Sequence, residues 1–207
     1  MSIAKKLQTI AENEQRVYEA GEAKGIEEGK QAEYDRFWDE YQNFGKRTAY
    51  GSAFYNKGWT DVSYNPKYDI VPTSAVNTFA YSPITDTKVN IDVSKATTTN
   101  IFNYCGVLKT IRNLIVSENT DWGGNCFAHC SALENLTITG TIGKGGLDLH
   151  WSTKLTKASI TSVINALSTT TSGLTVTISK VAKEAAFTDA EWADLIATKP
   201  NWTYSLV

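Results

Sequence analysis

The sequence predicts an α+β protein: a long N-terminal helix acting as a coiled-coil stalk, then a short, irregular wound solenoid with a mainly parallel sheet. Three observations predict this. Residues 1–45 are rich in helix formers and hold almost no β-branched residues after Val17. From about residue 46 the composition turns to Thr, Ser, Asn and Gly, and β-branched residues return. Beyond that point a phenylalanine-led unit recurs, with Phe79, Phe102 and Phe127 spaced 23 and then 25 residues apart.

In the first segment, Ile3, Leu7, Ile10 and Val17 fall on alternating four- and three-residue steps, the seam of a coiled coil. Gly21, Gly25 and Gly29 then recur every fourth residue and line one face of any helix that forms. They either allow close helix approach or bend the helix, at about 1 kcal/mol each relative to alanine. Tyr34, Phe37, Trp38, Tyr41 and Phe44 restore an apolar face, and Gly45 stops it. So polar a stalk needs partner helices, and a homo-oligomer such as a trimer is expected, with Ile3, Leu7, Ile10 and Val17 as its anchor. Residues 46–76 read as an irregular connector and N-terminal cap, and 77–207 as the repeat domain with its C-terminal cap.

The repeat itself reads Phe102-x-Tyr104-Cys105-x-x-Leu108-x-x-Ile111 and Phe127-x-His129-Cys130-x-x-Leu133-x-x-Leu136. The first copy, Phe79-x-Tyr81-Ser82, departs from this, because Pro83-Ile84-Thr85 puts no leucine six residues after its Phe. Alternating apolar runs follow each copy: Val89, Ile91, Val93; Leu114, Val116; Leu136, Ile138. Such a unit cannot bury its own apolar edge, so stacking is expected to place Phe on Phe, Cys on Cys and Leu on Leu. Further strands are expected at 147–149, 174–178 and 202–206. A helix through Ile160, Val163, Ile164 and Leu167 separates the first two, with Thr156 or Ser159 as its N-cap. Thr188-x-x-Glu191 opens another before the last, by capping-box spacing.

Composition narrows the function. A net charge of −2 leaves no electrostatic footprint for nucleic acid or an anionic membrane, and no apolar run is long enough to span a bilayer. The opening Met1–Gln15 stretch has no apolar core, so a secretory leader is not expected. Three cysteines, an odd and low number, fit folding in a reducing cytoplasm. Cys126-x-x-His129-Cys130 has the ligand types of a zinc half-site. Cys130, however, shares the inward column of Cys105, and no second ligand pair exists beyond distant His150. With two histidines, no Gly-x-Ser-x-Gly, and a Gly143–Gly146 stretch lacking phosphate-loop spacing, no catalytic, cofactor-binding or metal residue is expected. Ten of the 22 carboxylates lie in residues 1–45, where solvated helix faces explain them. The candidate binding surface is Tyr81, Tyr104 and His129, each two residues after a repeat Phe, with Trp122 nearby. Such a row suits stacking on sugar rings or a protein epitope; the competing reading is that the rings only shield the turn backbone.

The Phe-x-x-Cys-x-x-Leu-x-x-Ile/Leu unit resembles BspA-like leucine-rich repeats of bacterial surface proteins and gut bacteriophages. The run from Ala11 through Gln42 before a short repeat domain, with Trp151-Ser152, Leu155-Thr156 and Trp202-Thr203, is similar to phage or prophage proteins of gut Firmicutes. That resemblance implies a non-enzymatic virion structural protein, made in the bacterial cytoplasm and docked through residues 1–45 to a larger virion protein. Its repeat domain would serve adhesion to a surface glycan or protein. The alternatives are a capsid or tail decoration protein, or a bacterial surface repeat protein.

Overall fold

A computed structural model describes residues 69–207 apart from Gly124 and Gly145. The stalk expected over 1–45, with Ile3, Leu7, Ile10, Val17 and the three spaced glycines, lies outside the described residues, as does the connector up to residue 68.

The described chain holds eight short strands and three short helices, in the order β1 (Asn90–Asp92), β2 (Thr97–Thr99), β3 (Thr110–Val116), β4 (Asp121–Gly123), β5 (Asn135–Gly140), β6 (Leu147–Leu149), α1 (Lys157–Ala166), β7 (Leu174–Ile178), α2 (Lys180–Ala186), α3 (Asp189–Ala197) and β8 (Trp202–Leu206). All strand pairings are parallel, in three separate sheets ordered β1-β3-β5, β2-β4 and β6-β7-β8. This corrects the α+β expectation of a long helix followed by one mainly parallel sheet. The described helices span 10, 7 and 9 residues, and the sheet is divided into three.

Two local devices divide it. Each early coil turns a corner after Val93 or Val116, where the Ser117 hydroxyl donates to Ser94 O at 2.6 Å and Thr120 Oγ1 accepts from Ser117 N–H at 2.9 Å. That corner breaks the coil into two short strands, so β1-β3-β5 and β2-β4 form side by side. At the far edge of β5, α1 stands where another strand would pair. Ser159 Oγ accepts from Leu136 N–H and donates to Glu134 O, both at 2.9 Å, and Ser162 Oγ accepts from Ile138 N–H at 2.9 Å. Serine hydroxyls thereby satisfy an edge that would otherwise invite a foreign strand. The third sheet is then built of strand–helix units, with α1 capped by Thr156 and α3 by the Thr188–Glu191 capping box. Lys157 and Thr188 hold the Glu191 carboxyl down to about 2. Helix α2 has no counterpart in the sequence reading.

The core is a set of columns through the stacked coils. Phe79 and Phe102 stack with ring centroids 5.4 Å apart, and Phe102 and Phe127 at 5.6 Å; all three are buried. Equivalent main-chain bonds run from Lys109 N–H to Thr85 O, Glu134 N–H to Lys109 O and Thr156 N–H to Glu134 O. They align the residues just before, so Ile84, Leu108, Leu133 and Leu155 form a second buried column. The first unit is thus one residue short, and Ile84 fills the leucine position from five residues after Phe79. At the end of β5, Gly140 has φ +103°, and a Cβ there would sit 2.1 Å from Val116 O.

The third column carries sulfur. Cys105 Sγ donates to Phe79 O at 3.0 Å, and Cys130 Sγ repeats this to Phe102 O at 3.1 Å. Ser152 takes the same place in the fourth unit, yet its fully buried hydroxyl has no hydrogen-bond partner. Its shorter C–O bond does not reach where the longer C–S bond does. Replacing Ser152 with cysteine is therefore expected to raise stability by about 1 kcal/mol, by removing an orphaned buried hydroxyl. Phe102→Ala should lower it by about 3–5 kcal/mol. Urea unfolding of both variants, followed by tryptophan fluorescence, measures the two shifts.

Candidate functional site

Each coil of the repeat opens on a four-residue turn that begins at the column residue. The turns are closed by Ser82 N–H to Phe79 O (2.9 Å), Cys105 N–H to Phe102 O (3.1 Å), Cys130 N–H to Phe127 O (3.2 Å) and Ser152 N–H to Leu149 O (3.0 Å). The third residue of the first three turns is left-handed: Tyr81 at φ 59°, Tyr104 at 58° and His129 at 60°. A turn of this kind ordinarily places glycine or asparagine there. For a residue with a Cβ, the conformation costs on the order of 1–2 kcal/mol.

The same turns are bonded rung to rung. Phe79 N–H donates to Ile101 O (2.8 Å), Tyr81 N–H to Asn103 O (2.9 Å), Phe102 N–H to Cys126 O (2.9 Å) and Tyr104 N–H to Ala128 O (2.8 Å). Asn77 and Asn100, two residues before their phenylalanines, are left-handed as well, and the Asn100 side chain accepts from Asn125 N–H at 2.8 Å. With the backbones locked in register, the third residues must stack.

They form a ladder. Tyr81 and Tyr104 lie 4.7 Å apart, centroid to centroid, and 5° from parallel. Tyr104 and His129 follow at 4.0 Å, and His129 and Trp151 at 4.1 Å. His150 closes the end against Trp151 at 4.8 Å, its Nδ1 held 2.6 Å from Asp148 Oδ1. Tyr81 and Tyr104 are each 45% exposed and Trp151 41%, so the row lies on the surface.

The structure therefore brings Tyr81, Tyr104 and His129 together and leaves out Trp122. That ring is buried in β4 against Phe127 (6.0 Å), with an indole N–H that finds no acceptor. The fourth rung is Trp151, whose signal was present in the sequence. It stands 22 residues after His129 and is followed by Ser152 and Leu155 at the spacing of Cys130 and Leu133. Leu149 in place of the repeat phenylalanine concealed it.

The cysteines occupy structural positions. Cys105, Cys126 and Cys130 are all buried. Burial pushes the Cys105 thiol up to about 12, against a smaller opposing effect of the Ser82 backbone. It raises Cys126 and Cys130 too. Among the described residues, no group of three or more His, Cys, Asp or Glu is placed to hold a metal ion. Nor is any helix there long and apolar enough to cross a membrane.

No protein-family model matches the chain, and neither a curated protein nor a solved structure does.

Because the folded Cys105 thiol ionises only near pH 12, whereas an unfolded one does so near its ordinary value of about 8.5, it favours the folded state below that lower value. This contribution is lost as pH rises towards 12. Cys105→Ala should give a stability curve that falls less steeply than the parent's between about pH 9 and 12. Thiol-reagent kinetics at neutral pH should also show no fast cysteine until denaturant opens the columns; a fast-reacting native Cys105 or Cys130 would contradict the assignment.

Proposed function

We propose that this chain is a non-enzymatic recognition protein whose repeat domain binds a surface ligand along the row Tyr81, Tyr104, His129 and Trp151. The observation that carries this reading is the placing of exposed rings on strained backbone. Three left-handed non-glycine residues together cost about 3–6 kcal/mol. The three ring contacts return about 0.5–1.5 kcal/mol each. Asparagine, which sits at left-handed Asn77 and Asn100 in the same coils, would serve the turn at lower cost. Rings kept there, the two tyrosines nearly half exposed and His129 partly so, are better explained by contact with another molecule than by shielding of the turn.

The resemblance of the repeat to BspA-like surface proteins supports adhesion as the task. A phage or prophage particle as the setting, with synthesis in the bacterial cytoplasm, belongs to the same reading.

The full-length protein carrying Tyr104→Ala and Trp151→Ala together is expected to lose at least tenfold in binding to bacterial cells, read by flow cytometry of labelled protein. Its circular dichroism should remain that of the parent. Undiminished cell binding by the folded double variant would remove the ladder from recognition.

A further inference from the structure

The ladder's own stacking limits what it can bind. Tyr104 has a ring on each face, at 4.7 Å and 4.0 Å, and is still 45% exposed. Its exposure must therefore be that of its edge and hydroxyl. His129 is flanked in the same way, by Tyr104 at 4.0 Å and Trp151 at 4.1 Å. The interior rungs have no free face on which a sugar ring could lie flat. This overturns the stacking platform that the sequence suggested.

What the row offers instead is a line of polar edges. Among the described residues, the Tyr104 hydroxyl, the His129 ring nitrogens and the Trp151 indole N–H have no hydrogen-bond partner. The indole is a donor only, and the phenol and imidazole each donate as well as accept. The ring edges between them carry the positive end of the aromatic quadrupole. A donor-rich, edge-positive strip is complementary to acceptor-only groups, and carboxylates give hydrogen bonds roughly twice as strong as neutral acceptors do. Asp148, the acid at the end of the row, is already paired with His150.

Spacing separates two kinds of carboxylate polymer. An extended peptide repeats a side chain on one face about every 6.8 Å, out of step with rungs 4.0–4.7 Å apart. A glycan presents several oxygens across the width of every sugar, so neighbouring rungs can each meet one. Resting on the recognition reading above, we infer that the ladder binds a carboxylate-bearing polysaccharide edge-on, through the Tyr104 hydroxyl, the His129 ring and the Trp151 indole N–H.

Affinity electrophoresis of the full-length protein in polygalacturonate, in its methyl ester and in polyglutamate tests this. The expected result is retardation by polygalacturonate, at least tenfold weaker in the ester and weaker in polyglutamate. Tyr104→Phe, which keeps the ring and removes the hydroxyl, should weaken retardation by about three- to tenfold. Equal retardation by acid and ester, no retardation by polygalacturonate, stronger retardation by polyglutamate, or an unchanged Tyr104→Phe variant would each overturn the inference. Ladder-dependent cell binding accompanied by any of those results would leave the recognition reading standing and remove only the acidic glycan.

Discussion

The described structure depends on how its turns are held. A tight turn leaves main-chain N–H groups pointing away from their own coil, and a buried N–H without an acceptor is costly. Here the next coil supplies the acceptor: Phe79 and Tyr81 donate to Ile101 and Asn103, and Phe102 and Tyr104 to Cys126 and Ala128. At the opposite corner the polarity reverses, and the later coil donates to the earlier one through Lys109, Glu134 and Thr156. Each coil is fastened on both sides by bonds that exist only when the coils are in register. The phenylalanine, leucine and cysteine columns are side-chain consequences of that register, and so is the surface ladder.

One constraint therefore produces both the core and the candidate site. The first residue of each turn points inward and stacks as Phe79, Phe102 and Phe127. The third stacks outward as Tyr81, Tyr104 and His129, two positions along the same backbone. Recognition surface and hydrophobic spine are coupled because one set of rung bonds sets the spacing of both. Loosening the phenylalanine column would disturb the ladder without touching any of its rings. Where the stacking scheme changes, after β5, the chain turns to strand–helix units, and the hydroxyls of Ser159 and Ser162 close the exposed edge.

Much of this was legible in the sequence, because columns leave a fixed spacing. The Phe, Cys and Leu alignments of the second and third units, the strands at 147–149, 174–178 and 202–206, and the Thr156 and Thr188 caps all follow from residue type and interval. Other parts were not legible, for physical reasons. The first unit is one residue short, so Ile84 fills a position that spacing assigns to Thr85. Strands β2 and β4 read Thr-Thr-Thr and Asp-Trp-Gly, with no apolar alternation for periodicity to register. Helix α2 spans seven residues and exposes Val181 while burying Lys183, which inverts the apolar pattern that identifies a helix. A tyrosine gives no hint of a left-handed backbone, because only the rung bonds force it there. The sequence reading put Trp122 in the surface row and gave Trp151 no place in it, since burial depends on which coil lies above and interval alone does not say.

Hydrogen exchange tests the rung bonds directly. Under native conditions, the amides of Phe79, Tyr81, Phe102 and Tyr104 should exchange slowly and with one common opening free energy, although all four lie in turns outside any strand. Exchange at the rates of unprotected loop amides, or four unrelated opening energies, would mean that the turns are not bonded coil to coil, and the ladder built on them would go too.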